Sequence, residues 1–233
     1  MNETKTEKYR IISGLVFPIL FVVLIWGIKF YEHSTGTDLT FLGLYPLNPK
    51  GLTGILTGPL IHADWKHLAN NSLPLIFFGW TIAYFYRNIA LKVFFLIYLL
   101  SQLWLWFFYV RPAWHIGASG VIYGMGAFVF VSGIIRRNRN LLAISLLVAF
   151  LYGSMVWGIF PYEEQVSWEG HLMGLIAGII LAYYYKDYGP EKPTELIEDD
   201  ELNDEDDFWN DYSDDTENSY GESDNTGKNH TEK

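Results

Sequence analysis

Long uncharged runs, broken by short polar connections, set the pattern of this chain. Five of them cover residues 11–28, 68–86, 93–110, 116–135 and 141–162, and a sixth, 167–185, is interrupted only by Glu169. Each is close to the ~20 apolar residues that a helix needs to cross a bilayer. Lipid offers no partner to backbone polar groups, so such runs must be helices that satisfy themselves. The pattern therefore predicts an all-α polytopic membrane protein, a bundle of six transmembrane helices. The first run follows Lys5, Lys8 and Arg10, as a secretory signal would. It exceeds a signal core in length and no small-x-small cleavage site follows, so it reads as a retained anchor. Residues 29–66 show no helical period yet are rich in Leu, Gly, Pro and Thr. They read as a compact loop lying partly in the membrane interface, with Trp65 as its anchor.

Charge divides the chain sharply. The net charge is -10, but residues 1–186 hold 13 Lys and Arg against 8 Asp and Glu, whereas residues 187–233 hold 3 against 18. Three parts follow: a cytoplasmic N-terminus at 1–10, a six-helix membrane domain at 11–186, and a disordered acidic cytoplasmic tail at 187–233, too polar to bury a core. Basic residues mark alternate connections, first Lys5, Lys8 and Arg10, then Arg87 and Lys92, then Arg136, Arg137 and Arg139, and finally Lys186. The intervening loops and their ends carry Asp38, Asp64, Glu163, Glu164 and Glu169, with Lys50, Lys66 and Arg111 in the minority. This asymmetry places both termini of a multi-pass cell-membrane protein in the cytoplasm. No basic surface interleaved with aromatics argues for nucleic acid. Cysteine is absent, which excludes disulfides, thiolate nucleophiles and zinc-thiolate sites.

Polar residues inside membrane helices are costly and turn toward the bundle interior. Here they collect at the starts of the second, fourth and sixth runs, which share one direction and hence one depth. The second opens with His67 and Asn71, four apart and on one helix face. The fourth opens with Ser119 between Gly117 and Gly120, and the sixth with His171 after Gly170. Gly120 with Gly124, and Gly170 with Gly174 and Gly178, form small-residue faces that let two backbones approach. Small residues around Ser119 are also what plain helix packing uses. A hydrogen bond between Ser119 and His171 would make a nucleophile and its general base. No carboxylate stands ready as a third member, since Glu169 lies two residues from His171 and points elsewhere, so a dyad is expected. Tyr123, one turn past Ser119, is placed to stack on the His171 ring. His115 reads as a loop residue outside the dyad. His62 is expected to brace the loop through a backbone hydrogen bond. No His-Glu-x-x-His is present, and no metal is expected.

Taken in order, His62-x4-His67-x3-Asn71, Gly117-x-Ser119-Gly120 with Tyr123, and His171-x2-Gly174-x3-Gly178 resemble the rhomboid intramembrane serine proteases. The resemblance covers roughly residues 11–186. It implies a serine endopeptidase that works without cofactor, with Ser119 as nucleophile and His171 as base. It further implies His67, Asn71 and the Ser119 N–H as oxyanion donors, with Tyr123, Gly117, Gly120 and His62 in support. The implied partners are the lipid bilayer and single-span transmembrane proteins, cut near the outer boundary of the membrane. The Trp-Arg pair that many members carry in the first loop is missing from 30–66. Two rivals remain at this point: a proteolytically inactive relative that binds transmembrane clients, and a small transporter. The first has no need to keep both Ser119 and His171, and the second would show charges at mid-membrane or interrupted paired helices.

Overall fold

Six long helices form on the apolar runs in a computed structural model that describes residues 3–151, 158–160 and 167–190. They are α1 (Glu3–Thr35), α2 (Trp65–Phe85), α3 (Ala90–Phe107), α4 (Ser119–Ile135), α5 (Arg139–Leu151) and α6 (Trp168–Tyr184). The described residues hold no β-strand, and the all-helical membrane bundle expected from the sequence is the fold. By length and composition alone, α3 and the stretch Glu7–Thr35 of α1 are long and apolar enough to cross a membrane. Helix α4 is also apolar but only 17 residues long. The fifth run was expected to reach residue 162. Helix α5 is seen to Leu151, and 152–157, 161–166 and 191–233, which is all of the predicted acidic tail but 187–190, lie outside the described residues.

Helix α1 outruns its apolar stretch at both ends because each end finds polar partners. At one end Arg10 donates to the Tyr84 carbonyl at 3.4 Å, and the Tyr84 hydroxyl meets Glu7. At the other, Lys29 holds Glu32 at 2.7 Å. Between them Pro18 sits on Gly79 of α2, where a Cβ would come within 2.8 Å of its ring. Helix α4 packs against α2, α3, α5 and α6. It is the centre of the core, with Phe128, Met125 and Val121 fully buried beside Phe78, Leu68 and Ile97 of its neighbours. A helix surrounded this way must be apolar on every face, and this one is.

The connection from α1 to α2 is folded, as its apolar composition requires. It contains 3-10 turns at Thr40–Leu42, Pro49–Gly51 and Gly58–Leu60 and one α-helical turn at Gly54–Thr57. Leu44 is fully buried and exchanges two backbone hydrogen bonds with His115, of 2.9 and 2.8 Å. The Thr57 hydroxyl donates to the Leu42 carbonyl at 2.5 Å, and the Tyr98 hydroxyl of α3 donates to Leu56. Trp65, at the start of α2, packs on Trp26 and His33 of α1. This loop is therefore fastened both to α3 and to the strand-like segment that leads into α4.

Candidate active site

Helix α4 begins after a backbone turn that only glycine adopts easily, Gly117 at φ +105°. The Gly117 N–H donates to the Gly58 carbonyl at 3.0 Å, which fixes the turn against the folded loop. Ser119 is thereby the first residue of the helix, where backbone N–H groups are unpaired and the dipole is positive. Helix α6 begins beside it. Its cap is Ser167, whose Oγ accepts from the Gly170 N–H at 3.4 Å and lies 2.6 Å from Nδ1 of His115.

The glycine faces bring the two helices into backbone contact. A Cβ at Gly174 would stand 1.8 Å from the Gly120 carbonyl oxygen, and one at Gly178 would stand 2.0 Å from that of Gly124. At this separation Nε2 of His171 lies 2.7 Å from Oγ of Ser119. The other ring nitrogen, Nδ1, lies 2.7 Å from the Gly158 carbonyl. A carbonyl only accepts, so Nδ1 carries the proton and Nε2 presents a lone pair to the Ser119 hydroxyl. Tyr123 stacks on the imidazole with centroids 4.2 Å apart and planes within 8°. Three constraints thus hold one buried ring in one tautomer.

The second helix contributes from the opposite side. A Cβ at Gly117 would fall 2.7 Å from Nε2 of His67 and 3.6 Å from Nδ2 of Asn71, so both side chains lie against the turn that precedes Ser119. The Asn71 Nδ2 is buried with no hydrogen-bond partner. A buried unpaired donor costs on the order of 1–3 kcal/mol, and so marks a place where an acceptor is wanted. Asp64 caps α2, with Oδ1 accepting from the His67 N–H at 2.7 Å.

His62 departs from expectation. Its ring is buried, 5.1 Å from that of His67, but neither nitrogen makes a hydrogen bond. The Leu60 backbone lies near enough to favour the protonated ring, without the geometry of a full hydrogen bond. Burial, together with the neighbouring His67, pushes its pKa down to about 3, so the ring is neutral. The bracing comes instead from the backbone: Lys29 of α1 donates to the carbonyls of His62 and Ala63, both at 2.9 Å. Sequence reasoning missed this clamp. Its only trace is Lys29 closing an apolar run with Glu32 at the next turn. Gly158 was missed too, because its contribution is a carbonyl. A Cβ there would lie 2.1 Å from the Tyr123 hydroxyl oxygen and 3.1 Å from Nδ1 of His171.

Two groups are kept apart from the dyad. His115 belongs to the loop, as expected, paired with Ser167 and bridged to Leu44. Glu169 is 1% exposed and holds Arg111 through contacts of 3.2 and 3.1 Å, so both its oxygens are engaged by that guanidinium. Among the described residues no cluster of three His, Asp or Glu converges as a metal site would require.

Comparison with known proteins agrees with this geometry at the level of family. The model of the Rhomboid domain matches residues 49–188. The chain is 34% identical over 202 residues to uncharacterized proteins of Mycobacterium bovis and Mycobacterium tuberculosis, with 82% of each chain covered. An uncharacterized protein of Mycobacterium leprae is 31% identical over 205 residues, covering 84% of this chain and 80% of its own. With more than half of its length matched by that domain, the chain belongs to the rhomboid family.

Proposed function

We propose that this chain is an intramembrane serine endopeptidase that cleaves single-span transmembrane proteins near the outer membrane boundary, without cofactor. The observation that carries the reading is the 2.7 Å contact of Ser119 with a nitrogen of His171 whose partner nitrogen is already committed to Gly158. In the reaction Nε2 takes the hydroxyl proton as Oγ attacks the scissile carbonyl, then returns it to the leaving amine. A water deprotonated by the same nitrogen releases the acyl group. Negative charge on the carbonyl oxygen would meet the Ser119 N–H, the Asn71 amide and His67, with the N-terminal dipole of α4 behind them. The unpaired Asn71 donor supports that role, since a transition-state oxygen would supply its missing acceptor. Supporting roles go to Tyr123 as a stacking plate for His171, to Gly117 and Gly120 for close approach, and to His62 beneath His67.

The charge pattern supports a multi-pass protein with both termini cytoplasmic and the dyad near the outer face, within residues 11–186. A proteolytically inactive client-binding relative is the rival, and it has no use for a serine held in hydrogen-bonding distance of a tautomer-locked imidazole. Labelling with a fluorophosphonate probe decides between them. Wild type should label, Ser119→Ala should not, and His171→Ala should label far more slowly. Absence of labelling in folded wild type, or labelling that survives Ser119→Ala, rejects the protease reading.

A further inference from the structure

At the end of α2 remote from Ser119, a cavity of about 250 Å³ opens between α1, α2 and α3. Small residues are prominent in its lining, Gly14 on α1, Gly79 and Ala83 on α2 and Ala90 on α3, and the space reaches toward Met125 of α4. Its lining is almost all carbon, with Ser13 and Arg87 as the polar exceptions. Within a bilayer the material at hand to fill it is hydrocarbon.

Arg87 gives the cavity a chemical preference. It is exposed at the rim and, among the described residues, makes no ion pair and no hydrogen bond, resting only over the ring of Tyr9 at 5.5 Å. Its neighbour Arg10 is already engaged by Glu7 at 3.9 Å and by the Tyr84 carbonyl. Lys92, one turn further on α3, lies over the ring of Tyr185. A planar guanidinium with free donors suits a phosphate, and its own uncompensated charge favours a headgroup of net negative charge over a zwitterionic one. We propose that this cavity binds one acyl chain of an anionic phospholipid, with its phosphate held by Arg87. The site lies apart from Ser119 and His171 and does not depend on the protease reading.

Native mass spectrometry of the full chain in detergent, titrated with phosphatidylglycerol or with phosphatidylcholine, tests the proposal. One phosphatidylglycerol should be retained about fivefold more tightly than phosphatidylcholine, the preference expected of one favourable surface charge. Arg87→Gln should bring the two lipids level. Ala83→Phe, which fills the cavity, should abolish retention of either, and Ala90→Leu repeats the filling from α3 if the first variant does not fold. Glycerol phosphate, which carries the anionic group without chains, should not displace the lipid. Equal retention by wild type, a preference that survives Arg87→Gln, undiminished retention in a folded, filled variant, or displacement by glycerol phosphate each overturns the site.

Discussion

At the scale of single residues, the chemistry turns on donors and acceptors with no slack. His171 has both nitrogens committed, one to Gly158 and one to Ser119, whereas Asn71 has a buried donor with nothing to meet. If Asn71 binds the transition state, Asn71→Ala should lower turnover by roughly 100- to 1,000-fold, about 2.7–4 kcal/mol, while leaving KM nearly unchanged. Steady-state kinetics on a single-span substrate, with a melting curve alongside, checks this. Normal turnover with a lowered melting temperature would make Asn71 structural. His62 yields a prediction in pH. Unfolded, its ring takes a proton near pH 6.5; folded, burial holds that off to about pH 3. Its contribution to stability is therefore whole above the unfolded value and is lost as pH falls from about 6.5 toward 3, with a slope up to about 1.4 kcal/mol per pH unit. His62→Gln should flatten melting temperature against pH in that window, and an unchanged slope would acquit the ring. The polar residues of the site were legible in the sequence because they open three apolar runs that share one direction and depth. Gly158 was not, since a carbonyl leaves no mark in a residue name.

Helices place these groups, and their packing rests on missing side chains. At Gly174 the neighbour is the Gly120 backbone, which has no rotamer to swing aside. Gly174→Leu should therefore push α6 off α4, misplace His171 and cut activity by on the order of 100-fold or more, though it touches no reacting atom. Full fluorophosphonate reactivity in a folded Gly174→Leu protein would sink that argument. A second element-scale device is the clamp from α1 to the approach of α2, where Lys29 ties two carbonyls just ahead of the Asp64 cap. Lys29→Met leaves both carbonyls and Glu32 without their cation, so turnover should fall about tenfold with KM little changed. Lys29→Arg, which keeps charge and donors, should recover most of it. Equal turnover in wild type and Lys29→Met would detach α1 from the site. The glycine faces were readable as periodic small residues. The clamp was not, and the loop was legible only as compact, because what organises 36–64 in detail is tertiary: Leu44 paired with His115, Gly51 against Tyr45, and Gly54 against Gly43.

At the scale of the whole chain, charge divides the sequence into a basic stretch through 186 and an acidic one after it, and Arg136 marks the join. It caps α4, is buried, and donates from Nε to the Pro190 carbonyl at 2.6 Å and from the rest of its fork to the carbonyls of Lys186 and Gly189. The first residues after α6 are thus part of the bundle, although the sequence assigns 187–233 to one acidic tail. That division fails at 187–190 because charge counts side chains, and what Arg136 binds there is backbone. Two truncations separate the parts. Ser119 lies at the other end of α4 from Arg136, some 25 Å away at 1.5 Å per residue, and residues 191–233, with 17 acidic side chains against 3 Lys, are proposed to be dispensable for the chemistry. A chain ending at Pro190 should label with fluorophosphonate within a few-fold of wild type and melt at nearly the same temperature. A chain ending at Tyr185 strips three acceptors from a buried guanidinium, each worth roughly 1.5–3 kcal/mol when bonded to a charge. At about 2–4 °C per kcal/mol, the loss of all three should lower the melting temperature by roughly 10 °C or more. Equal stability of the two truncations would show that Arg136 does not need those carbonyls, and loss of labelling in the longer one would show that the acidic segment acts on the site.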